Sequence, residues 1–82
     1  MKAVVLYGRE GCCLCEEALA VLERVRLRVA FDLVQFDIES DERVHRAYVE
    51  RIPIVTIDGV EAFEYYVDGD ELVRRLSEEQ AA

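Results

Sequence analysis

Ala3-Val4-Val5-Leu6-Tyr7 is an unbroken apolar run, partly β-branched and closed by Gly8, as expected of a strand buried on both faces. The period then changes. From Leu14 to Val29 the apolar residues Leu14, Cys15, Ala18, Leu19, Val21, Leu22, Val25 and Val29 recur at helical spacing, with Glu16, Glu17, Glu23, Arg24, Arg26 and Arg28 largely between them. Phe31 to Ile38 is again rich in β formers and follows after almost no loop. Strand, helix and strand therefore predict a parallel, right-handed βαβ unit.

In the second half Ser40 offers an N-cap, Asp41 and Glu42 follow in the first turn, and Val44, Ala47, Tyr48 and Arg51 share one side of a short helix. The single proline, Pro53, closes that region. Ile54-Val55-Thr56-Ile57 predicts a third strand, Asp58-Gly59 a two-residue hairpin turn, and Val60 to about Tyr65 the returning strand. A last helix starts near Asp68, with Glu71 three residues on as in a capping box and an apolar side of Leu72, Val73 and Leu76. The order βαβαββα places the chain in the α/β class, with a four-stranded mixed sheet covered by helices on both faces. No linker or repeat interrupts it, so residues 1–82 read as one domain, with the polar end 77–82 expected to fray.

Composition narrows the function. Lys and Arg number 10 against 18 Asp and Glu, a net charge of −8, which disfavours nucleic acid and anionic membrane surfaces as partners. No apolar run approaches the roughly 20 residues of a transmembrane helix, and the start lacks a signal-cleavage pattern. A soluble, cytoplasmic monomer is expected.

All three cysteines fall in Cys12-Cys13-Leu14-Cys15. A secreted disulfide scaffold spreads its cysteines along the chain, so this cluster points to chemistry at one place. Residues three apart at a helix start lie on nearly the same side, and Cys12 and Cys15 can approach to disulfide distance. Cys13 sits about 200° around the axis from Cys15 and faces away. Cys15 heads the apolar stripe and is expected to be buried. Cys12 lies at the helix N-terminus, where free N–H groups favour a negative sulfur, which makes it the expected nucleophile and Cys15 the resolving thiol. Arg9 supports a thiolate there, and Glu10, Glu16 and Glu17 oppose it. Two plainer readings stand beside this one. Half of a zinc site would need ligands beyond the cysteines, with only the distant His45 on offer, and purely structural cysteines would account for Cys15 alone. A metal or iron–sulfur carrier and a non-catalytic interaction module are the corresponding alternative functions.

Tyr7-Gly8-Arg9-Glu10-Gly11-Cys12-Cys13-Leu14-Cys15-Glu16-Glu17-Ala18, then Arg51-Ile52-Pro53-Ile54-Val55, then Asp58-Gly59, resembles the glutaredoxin-like branch of the thioredoxin superfamily over nearly the whole chain. The resemblance implies a thioredoxin fold and thiol–disulfide oxidoreductase activity through Cys12 and Cys15. It also implies a cis proline at Pro53, where a trans proline that stops the second helix would otherwise be the default. Ile52 and Pro53 would then form a substrate shelf, the main chain of Ile52 pairing with an extended segment. Arg9 is a candidate contact for a glutathione carboxylate or a solvated loop arginine. No cofactor is required, and glutathione is a candidate co-substrate. The implied partners are a disulfide-containing protein, a glutathione mixed disulfide, or a reductase. The chain departs from the common pattern at Glu10, often proline, at Leu14, often aromatic, and at Ala62 to Val67, where glutathione-binding members carry Gly-Gly. Asp68 and Asp70 beyond it either cap the last helix or meet a substrate ammonium group. Tyr65 and Tyr66 are expected to fill the corner between sheet and helix, with one of them a candidate to border the site.

Overall fold

A computed structural model describes residues 2–81, with side chains through Ser77. The strands β1 (Ala3–Gly8), β2 (Asp32–Asp37), β3 (Ile54–Ile57) and β4 (Val60–Glu64) alternate with the helices α1 (Cys13–Arg26), α2 (Glu42–Tyr48) and α3 (Gly69–Ala81) in the expected βαβαββα order. The sheet runs β2-β1-β3-β4, with β1 parallel to β2 and antiparallel to β3, and β3 antiparallel to β4. At the hairpin Asp58 and Gly59 both take positive φ, 50° and 84°, as a primed turn requires. Asp58 also accepts from the Ala3 N–H at 2.9 Å and pairs with Lys2 at 2.9 Å, tying the turn to the start of β1.

Alternation along β1 and β3 creates two unequal faces. Val4, Leu6, Val55 and Ile57 point to one side, where Ala18, Leu22 and Val25 of α1 and Leu72 and Leu76 of α3 bury them in the main core. Tyr7 points to the other, where α2 supplies Val44 and Tyr48 to a smaller cluster around Cys15, Ile38 and Ile52. α2 has only two turns and no fully buried residue, so Val5 is half-buried and Val34 is 50% exposed. β1 is thus buried fully on one face only, which corrects the expectation of a strand covered on both.

Other corrections are local. α1 stops at Arg26, and Leu27 and Arg28 donate to carbonyls three residues back in a tightened last turn that leaves Leu27 exposed. β2 is shorter than 31–38, because Ile38–Ser40 form a 3₁₀ turn with Ser40 Oγ donating to the Asp37 carbonyl at 2.6 Å. Asp41, not Ser40, therefore caps α2, accepting from the N–H groups of Arg43 and Val44. Ala47 is exposed and Arg51 lies beyond the helix. At α3 the Asp68 carboxylate accepts from Asp70 and Glu71 as expected, but the Glu71 side chain pairs with Arg74 and Arg75 instead of completing a capping box. α3 runs to Ala81, and the fraying expected of 77–82 falls, apart from Ser77, outside the residues whose side chains are described.

Candidate functional site

β1 delivers the chain to Gly8, buried at the sheet's end, and a loop bent at Gly11 (φ 78°) turns it into α1. Cys12 is the N-cap. Its backbone is extended (φ −91°, ψ 110°), and its Sγ accepts the Cys15 N–H at 3.2 Å, the bond a serine or aspartate oxygen would make at this position.

Cys15 lies one turn on and is 7% exposed, against Ile38 and Ile52 with Tyr7 and Cys12 beside it. Its thiol is pushed up to about 11, first by burial and then by its hydrogen bond to the Cys12 sulfur; the Arg9 main chain and charge oppose the shift. The Cys15 thiol is therefore neutral at neutral pH. Gly8 makes room for this arrangement, since a Cβ there would stand 2.9 Å from Cys15 Sγ and 3.1 Å from its Cβ. Cys13 is exposed, apart from the pair, and all three cysteines are free thiols.

The Ile52–Pro53 peptide bond is cis. Ile52 packs its side chain into the cluster that holds Cys15, and neither its N–H nor its carbonyl has a hydrogen-bond partner among the described residues. Anchors surround it. The Arg51 N–H donates to Tyr48 at 2.8 Å, and the Arg51 guanidinium holds Glu61 at 2.5 Å and Glu64 at 2.9 Å on β4. The Pro53 carbonyl accepts from the Tyr65 N–H at 2.8 Å.

Cys12, Cys15 and Ile52 are thus brought together, with Pro53 next in the chain on the β3 side. Arg9 approaches the same Cys15 thiol through its main chain. It is exposed on the rim of a cleft of about 340 Å³ between β2 and the start of α1, shared with Glu10, Glu16 and Asp37 and floored by Cys15. Among the described residues no three His, Cys, Asp or Glu side chains are grouped to hold a metal ion, and no helix is long and apolar enough to cross a membrane.

The family model described as "Glutaredoxin-like domain (DUF836)" matches residues 3–77. The chain belongs to the glutaredoxin-like domain family. Solved structures agree with that placement. A Nitrosomonas europaea protein solved by NMR is similar at 34% identity and a TM-score of 0.80, over 92% of this chain and 91% of that one. An X-ray structure of an X. campestris protein follows at 25% identity and a TM-score of 0.75, over 92% and 96%. Chloroplastic thioredoxin z, at 13% identity, a TM-score of 0.80 and coverage of 100% and 80%, shows the thioredoxin fold alone. No curated protein matches the chain in sequence.

Within this glutaredoxin-like domain, sequence reasoning missed the roles of Gly8 and Arg51, and of Tyr65 it gave only that one of the two tyrosines borders the site. Gly8 carried a faint signal, a glycine ending an otherwise bulky strand. Tyr65 and Tyr66 do not fill the corner after β4: they are 41% and 70% exposed, and Tyr65 reaches back toward Glu50. Asp68 is used as a cap, which leaves its two accepted N–H groups occupied within the helix start.

Proposed function

We propose that the protein is a thiol–disulfide oxidoreductase working through Cys12 and Cys15. The observation that carries this is the Cys12 sulfur seated as the cap of α1 on the Cys15 N–H, with a buried, protonated thiol directly behind it. Cys12, as the thiolate, attacks one sulfur of a substrate disulfide; a Cys12–substrate mixed disulfide forms and the other substrate sulfur leaves as a thiol. Cys15 then gives up its proton and attacks Cys12. The mixed disulfide breaks, the second substrate thiol departs, and two electrons have passed to the substrate at the expense of a Cys12–Cys15 disulfide.

A disulfide-bearing protein segment is the substrate class the shelf fits, because the unpaired main chain of Ile52 offers both a donor and an acceptor to an extended strand. The excess of acidic groups, 18 against 10, favours an electropositive protein over anionic glutathione, an effect salt screens. Regeneration draws on glutathione or on a reductase dithiol, with no bound cofactor, and the setting is cytoplasmic with the protein acting as a monomer. Turnover of insulin disulfides and of a glutathione mixed disulfide, driven in turn by glutathione with its reductase and by thioredoxin reductase, tests the proposal. Turnover by at least one route that vanishes in Cys12→Ser supports it; no turnover by any route overturns it.

A further inference from the structure

Tyr65 holds a conformation that its residue type does not favour. Its φ is 67°, and the N–H of Tyr66 donates to the carbonyl of Glu64 at 2.8 Å, which makes Tyr65 the centre of a γ-turn with positive φ. A side chain with a Cβ resists this backbone, and glycine accepts it readily. Such conformations persist where surrounding contacts over-determine them.

The contacts that fix Tyr65 all lead to one place. Its N–H donates to the carbonyl of Pro53 at 2.8 Å, and its phenol O–H donates to the carbonyl of Glu50 at 2.7 Å. The two accepting carbonyls stand on either side of Arg51 and Ile52, so a single residue after β4 grips the segment at both ends. Between them Arg51 is tied to Glu61 and Glu64 on β4. The segment held this way is the one whose Ile52 main chain is left unpaired and whose side chain packs beside Cys15.

We propose that Tyr65 is a positioning residue that holds the Ile52–Pro53 shelf in register with the dithiol and so governs the docking of peptide substrates. This rests on the disulfide-exchange function proposed above. Main-chain pairing needs both partners within hydrogen-bond distance, and a shelf free to shift loses that alignment. Disulfides without a peptide backbone do not use the shelf and are indifferent to Tyr65.

Tyr65→Phe removes the hydroxyl and leaves the ring and the N–H to Pro53. Steady-state reduction of insulin with dithiothreitol as electron source is expected to show KM raised about three- to tenfold, the loss of one neutral hydrogen bond, with kcat retained. Reduction of dithiobis(nitrobenzoate), which has no peptide backbone, and the potential of the Cys12/Cys15 pair are expected to match the parent. Tyr65→Gly, which suits the positive φ and keeps the backbone N–H, is expected to show a KM increase at least as large. An unchanged insulin KM in both variants, or a parallel loss on dithiobis(nitrobenzoate), overturns the positioning role while the function stands. A parent protein inactive on both disulfides overturns the function and the role together.

Discussion

The backbone N–H of Cys15 points at the sulfur of Cys12 from 3.2 Å while the Cys15 side chain lies buried behind it. One residue thus donates to its neighbour's sulfur and keeps its own thiol neutral. The two sulfurs are made chemically unequal by three residues of helix.

Division of labour between the sulfurs is the first prediction. Cys12→Ser is expected to lose at least about a thousandfold in turnover, since the nucleophile itself is gone. Cys15→Ser keeps the first step and lacks the second, so intact mass spectrometry after exposure to a disulfide substrate is expected to show one substrate molecule retained on Cys12. Accumulation of the same adduct on Cys15 in Cys12→Ser would reverse the assignment.

The second concerns pH. With its thiol pushed from 9.0 to about 11, Cys15 is expected to alkylate ever faster up to about pH 11. Stability follows the same shift. Below pH 9 the Cys15 thiol is protonated folded and unfolded, so its contribution is fully present; between 9 and 11 the unfolded thiol ionises and the folded one resists, so that contribution is lost. The denaturant midpoint is expected to fall less across this window in Cys15→Ala than in the parent.

Gly8 is the third. A methyl group there would stand 2.9 Å from Cys15 Sγ, against a strand that cannot retreat because β2 and β3 pair it on both sides. Gly8→Ala is expected to cost about 1–3 kcal/mol, as overpacking does, and to slow resolution of the Cys12 mixed disulfide. Denaturant titration and single-turnover release of substrate measure the two effects separately.

Much of this was legible beforehand, for identifiable reasons. The start and apolar stripe of the first helix, read as far as Val29 and ending at Arg26, the Asp58-Gly59 turn and the Asp68 cap are local features, and local pattern predicts them well. Helical geometry alone separated Cys12 and Cys15 from Cys13. Failures came where distant parts of the chain decide. The open face beside Val5 and Val34 follows from the shortness of α2, and the grip of Tyr65 on Glu50 and Pro53 joins residues far apart in sequence.

Cys13 supplies the fourth prediction. Exposed and turned away from the pair, it is expected to contribute nothing to turnover and to form intermolecular disulfides or glutathione adducts under oxidation. Cys13→Ser is expected to retain parental activity and to run as a monomer on non-reducing gels after oxidant treatment. Persistence of the same oxidised dimer in this variant refutes the role given to Cys13.

The existence of a working Cys12/Cys15 couple is tested most directly by equilibrating the protein in thiol–disulfide buffers of graded potential, alkylating, and mapping the labels by mass. Cys12 and Cys15 are expected to lose their labels together in one two-electron transition between about −270 and −180 mV, with any loss at Cys13 carrying the mass of a buffer-thiol adduct. Independent loss of the two labels, pairing of either with Cys13, or no transition in that range would contradict it.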